Sequence, residues 1–140
     1  MSTELNYFFE DVKEVDISSN FSTWLNELAD ETNNYFRLNY IFCSDEYILE
    51  VNKQYLNHDY YTDIITFDLS DENSQLIESD IFISLDTVFS NSQEENNSFA
   101  DELLRVMAHG VFHLLGYNDK SDDEKKEMRR LEDEAISKMK

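Results

Sequence analysis

Residues 106–115 read Val-Met-Ala-His-Gly-Val-Phe-His-Leu-Leu. Apart from the two histidines the stretch is apolar all round, so as a helix it has no solvent face and is largely buried. A chain of 140 residues is long enough for one hydrophobic core and is expected to form one domain, 1–140. The histidine-bearing helix then lies at the centre of that domain, and the other elements must cover it.

The rest of the chain supplies the cover. Residues 5–9 and 38–43 read as strands, as do 62–69 and 80–85, with a polar turn over 70–79. Ser19 or Asn20 caps a helix whose apolar residues Phe21, Trp24, Leu25, Leu28 and Phe36 recur at helical spacing. Ser44 opens a short helix through Ile48, Val51 and Tyr55, which Asn57-His58-Asp59 breaks. Residues 86–97 read as a weak helix trailing into an Asn-rich loop. Ser98 with Asp101 starts the buried helix, and Ser121 with Glu124 caps a last helix with the stripe Met128, Leu131, Ala135 and Met139. With no proline and two glycines, the turns fall to Asn, Asp and Ser. The expected fold is α/β, or α+β-like: a single domain with an about four-stranded mixed sheet covered by helices.

Composition excludes several classes. A hydrophobic share of 41%, with ten Phe and eight Tyr, supplies a core and argues against disorder. No apolar run approaches the roughly 18 residues that span a bilayer, and residues 1–9 lack the basic flank of a secretory leader. The lone Cys43 lies in an apolar stretch and reads as a buried small hydrophobe. Together these features point to the cytoplasm. The net charge of −20 is unusual. Residues 120–140 hold seven basic and seven acidic side chains, so the first 119 residues, with four basic and twenty-four acidic, carry all of it. Such a field repels polyanions, so phosphate chemistry would need a local basic cleft.

His109 and His113 are four apart and project from one helix face. Two buried imidazoles need partners, and a divalent metal satisfies both ring nitrogens at once. Gly116 ends the helix and lets the chain reverse, which brings Asp119 round as a third ligand. Two imidazoles, a carboxylate and an open fourth position describe a catalytic zinc site, with one Zn2+ per chain. A hydrogen-bonded core histidine pair is the competing reading.

The pattern H-x3-H-x2-G-x2-D has the spacing of zinc proteases, but Gly110 stands where they carry a glutamate general base. It more closely resembles the YbeY family, whose signature H-G-x-x-H-L-x-G-Y-D-H is matched by His109-Gly110-Val111-Phe112-His113-Leu114-Leu115-Gly116-Tyr117-Asn118-Asp119. A second family segment, Y-R-x-K-D-x-P-T-D-V-L-S-F, is similar to residues 55–67, and a third, G-D-I, to Ser79-Asp80-Ile81. The resemblance implies a single-strand-specific, metal-dependent endoribonuclease of ribosomal RNA maturation and ribosome quality control. It also implies pre-ribosomal RNA and the small ribosomal subunit as partners, with no membrane or DNA involved.

This chain departs from the family at the third ligand, where Asp119 replaces histidine. Leu56 replaces an arginine important for activity, His58 a lysine and Tyr61 a proline. Phosphodiester hydrolysis builds negative charge, so a substitute cation is expected near the metal. Arg105, one turn before His109 on the same helix face, is the main candidate. His58 is a weaker, pH-dependent helper and Lys53 a third candidate. Arg105 could instead merely pair with Asp101 on the helix surface. Asp63 reads as either a polar edge residue or a group that orients a ligand histidine. Two other functions fit the same residues: a non-catalytic, zinc-containing ribosome-assembly factor, and a metal hydrolase of another substrate such as peptide.

Overall fold

The computed structural model describes residues 2–140. In chain order it contains β1 (Glu4–Glu10), α1 (Ser19–Thr32), β2 (Tyr35–Cys43), α2 (Asp45–Leu56), β3 (Ile64–Asp68), β4 (Leu76–Ser84), α3 (Leu85–Glu94), α4 (Phe99–Leu114) and α5 (Asp122–Met139). The strands form one mixed sheet in the order β1-β2-β4-β3, with β1, β2 and β4 parallel and β3 antiparallel to β4. It is an α/β domain, as the alternation of patterns implies.

Strand periodicity sorts the side chains into two layers. Phe36, Leu38, Tyr40 and Phe42 of β2, with Ile81 and Ile83 of β4, pack in the main core with Phe21, Trp24 and Leu25 of α1, Met107 and Val111 of α4, and Met128 and Ala135 of α5. Ile65 packs in a smaller cluster with Cys43, Ile48 and Val51, against which Phe67 and Phe82 lie. Helix α4 thus lies against the sheet with α1 and α5 around it. The Tyr40 hydroxyl ties it to β2 by donating 2.9 Å to the Met107 carbonyl. No helix among the described residues is long and apolar enough to cross a membrane.

Three local expectations are corrected. Phe36 is in β2, not α1: Asn33 adopts φ 56° and donates to the Ala29 and Asp30 carbonyls, which ends the helix before it. The cap of α1 is Ser18, whose side chain accepts from Asn20 N. The turn over 70–79 is shorter, because β4 begins at Leu76 and pairs along all of β2.

Candidate metal centre

Ser98 caps α4 by accepting from Asp101 N. Twelve residues further along, the helix must lie close to the sheet, and Gly110 allows it. A Cβ at 110 would stand 3.1 Å from Ile64 Cδ1 and 3.5 Å from Ile81. Position 110 therefore faces the sheet, and a glutamate there would be driven into Ile64 and Ile81.

The end of α4 brings in the third donor. Gly116 N donates to the His113 carbonyl and Tyr117 N to that of Phe112, 3.0 Å each. With Gly116 at φ 102° and the Tyr117 ring edge-on to Phe112, this is a Schellman turn with its apolar contact. The reversed chain brings Asp119 Oδ2 to 3.4 Å from His109 Nε2 and 3.7 Å from His113 Nε2. The two imidazoles lie edge-on with centroids 4.5 Å apart. One donor atom from each of the three residues lies within 4.8 Å of the others. Ligands bound about 2.1 Å from a tetrahedral ion stand roughly 3.4 Å apart, so the donors fit one divalent cation with little adjustment.

Two acids bracket His109 from behind. Glu132 of α5, only 6% exposed, accepts 2.7 Å from His109 Nδ1 through Oε2. Its Oε1 accepts 3.1 Å from Arg105 Nη1, and Arg105 Nη2 donates 2.8 Å to Asp133 Oδ1. Asp63, at the bend before β3, lines the same cleft of about 200 Å3 as Arg105, His109 and Glu132. Burial pushes the Asp63 carboxyl up, against the opposing pull of His109 and backbone amides.

The candidate cations take different places. Arg105 is 12% exposed, with both terminal nitrogens on α5 carboxylates. The pairing with Asp101 does not form: Asp101 instead accepts 2.8 Å from Lys140. His58 is exposed, with its ring stacked 5.2 Å from Tyr60 and Nδ1 3.1 Å from the Tyr60 hydroxyl. Lys53 lies between Glu50 and Asp59 at 3.8 and 3.5 Å. Leu56 is exposed.

Glu132 escapes the sequence reading, although one signal was present. It lies four residues after Met128 and three before Ala135, so an acid occupies the core-facing stripe of α5.

Fold and donor set define a class: a small α/β protein with a His–His–Asp cluster suited to one metal ion. A sequence model described as endoribonuclease YbeY matches residues 5–140. The chain belongs to the YbeY family. It is 48% identical to the endoribonuclease YbeY of Cytophaga hutchinsonii, covering 98% of this chain and 97% of that one. With that of Flavobacterium johnsoniae the identity is 44%, covering 95% of each. A solution structure of a Thermotoga maritima protein matches with a TM-score of 0.70 at 28% identity, covering 97% of this chain and 89% of that one.

Proposed function

We propose that the chain is a metal-dependent endoribonuclease that cuts single-stranded RNA in ribosomal RNA maturation, using one Zn2+ held by His109, His113 and Asp119. The observation that carries this reading is the partly exposed triangle of those three donors, in a chain whose relatives at 44–48% identity are named endoribonucleases. A divalent ion there supplies Lewis acidity toward a phosphodiester and makes water a stronger acid.

The chain's own residues set the donors and their charge. Asp119 makes the site less positive than three histidines would, so a cation near the phosphate matters more. His58 is the candidate for direct contact, effective when protonated, on the exposed loop that leads to Asp63. Arg105 has its terminal nitrogens on Glu132 and Asp133, which favours action through those carboxylates. The proposed partners are pre-ribosomal RNA and the small ribosomal subunit, and the proposed compartment is the cytoplasm.

Two observations favour a second reading, a non-catalytic assembly factor: Leu56 replaces the family arginine, and Arg105 is held within the protein. Peptide hydrolysis is disfavoured, because position 110 packs against the sheet. The test is a digest of RNA with an unpaired segment. Cleavage there, lost with chelator, restored by Zn2+ and absent in His113→Ala, is expected. Metal binding without cleavage, with cleavage gained by Leu56→Arg, would show that the chain has kept the metal and lost the nuclease. Rescue of ribosome maturation by a His113→Ala protein would support the assembly role.

A further inference from the structure

We propose that Glu132, held by Arg105, is the positioning residue of the metal centre: it fixes His109 in the tautomer and ring rotation that aim Nε2 at the ion. The inference rests on the metal site proposed above. An ionised carboxylate can only accept hydrogen bonds, so at 2.7 Å from Glu132 Oε2 the His109 Nδ1 must carry the hydrogen. In the neutral ring that binds a metal, Nε2 is then left with its lone pair, on the side where Asp119 Oδ2 stands 3.4 Å away.

Glu132 could not stay in the core of α5 without partners, because an unpaired buried carboxylate is strongly disfavoured. Each of its oxygens has one: Oε2 takes His109 and Oε1 takes Arg105 Nη1. Arg105 is itself steadied by Asp133 at 2.8 Å, while Glu102 Oε1 lies 3.9 Å from Nε without a hydrogen bond. The chain of contacts runs from α4 to α5 and back to α4, so the fold itself sets the His109 ring. His113 has no such support. Among the described residues its only polar partner is Asp119, through Nε2. The centre thus has one anchored histidine and one that adjusts around the ion, and the anchored ring limits the other through their 4.5 Å edge-on contact.

The test reads metal rather than RNA. Co2+ is titrated into the full-length chain by its visible absorption, against a competing chelator. Glu132→Gln keeps shape but lets an amide donor face His109, and should weaken Co2+ binding at least about tenfold. Arg130→Ala, on the exposed face of the same helix, should leave affinity unchanged. At a pH above the His109 pKa, long-range proton–nitrogen NMR correlations should show one Nδ1–H tautomer of the neutral ring in the metal-free wild type and a mixture in Glu132→Gln. If Arg105 acts through Glu132, Arg105→Met combined with Glu132→Gln loses no more affinity than Glu132→Gln alone. Unchanged affinity and tautomer in a folded Glu132→Gln chain would overturn the proposal, and additive losses would overturn the part given to Arg105. If His109→Ala still binds Co2+ as the wild type does, the metal site itself is wrong, which separates the two failures.

Discussion

In the metal-free chain the His109 imidazole feels opposing influences. Burial pulls its pKa down, but the Glu132 hydrogen bond and charge, then Asp119 and Asp63, more than offset this, and the net shift is upward. A histidine whose folded pKa is raised stabilises the fold fully below its unfolded value of about 6.5, and that stability is lost as pH rises through the folded pKa. The chelated wild type should therefore lose Tm relative to His109→Gln as pH rises from about 6.5. A difference that grows with pH would reverse the sign and refute the assignment. Cys43 gives a second expectation. Burial, with Asp45, Asp86, Asp11 and Glu10 adding to it, pushes its thiol up to about 12. At pH 8 about one molecule in ten thousand is then thiolate, so alkylation should wait for unfolding. Labelling of the native chain at the denatured rate would overturn this. At this scale the three metal donors were legible because they lie within eleven residues of one another, on a helix and the turn that ends it. Glu132 was not, because it is 23 residues from His109 and meets it only through tertiary packing.

Helix α4 was the most legible element, since an all-round apolar stretch admits few other fates, and the glycine within it and the glycine in the turn that ends it have separate tasks. Gly110 is a packing residue, so Gly110→Leu should overpack the interface with Ile64 and Ile81 and destabilise by about 1–3 kcal/mol. Gly116 has open space around it but holds φ 102°, so Gly116→Ala should cost about 1 kcal/mol through backbone strain alone. Urea unfolding measures both. Gly116→Ala should also weaken Co2+ binding at least severalfold, since that turn delivers Asp119. Unchanged affinity would separate the turn from the site. Boundaries were less legible where one pattern served two periods. Phe36 continues the apolar spacing of α1, yet it also begins the Phe36, Leu38, Tyr40, Phe42 alternation that buries β2. The start of β4 was hidden because Ser79 looks like a turn residue. It is buried instead, with its hydroxyl donating 2.7 Å to the Phe67 carbonyl.

On the scale of the whole molecule, the −20 charge and an RNA substrate impose a measurable constraint. Most of the cations are already paired within the protein, so they do not form the basic cleft expected from sequence. Arg37 lies between Glu4 and Glu78, Lys53 between Glu50 and Asp59, and Arg105 among Glu102, Glu132 and Asp133. Along α5, Arg129 meets Glu95, Arg130 meets Glu127 and Glu134, and Lys138 meets Glu134. Lys120, Lys125 and Lys126 differ: they are exposed, make no ion pair among the described residues, and flank the capping box that follows Asp119. Lys120 adjoins Asp119 in the chain, so these lysines are candidates, beside His58, to meet an RNA backbone near the metal centre. Each phosphate neutralised on a single strand contributes about 0.7 to the slope of log K against log salt, so three lysines set a limit near −2. RNA binding should thus depend weakly on salt, where a nuclease with a basic groove would show a steep dependence. Replacing all three lysines with alanine should flatten the slope further while leaving Co2+ affinity intact. A wild-type slope steeper than about −5, near seven phosphate contacts, would require a basic surface that this arrangement of pairs does not offer.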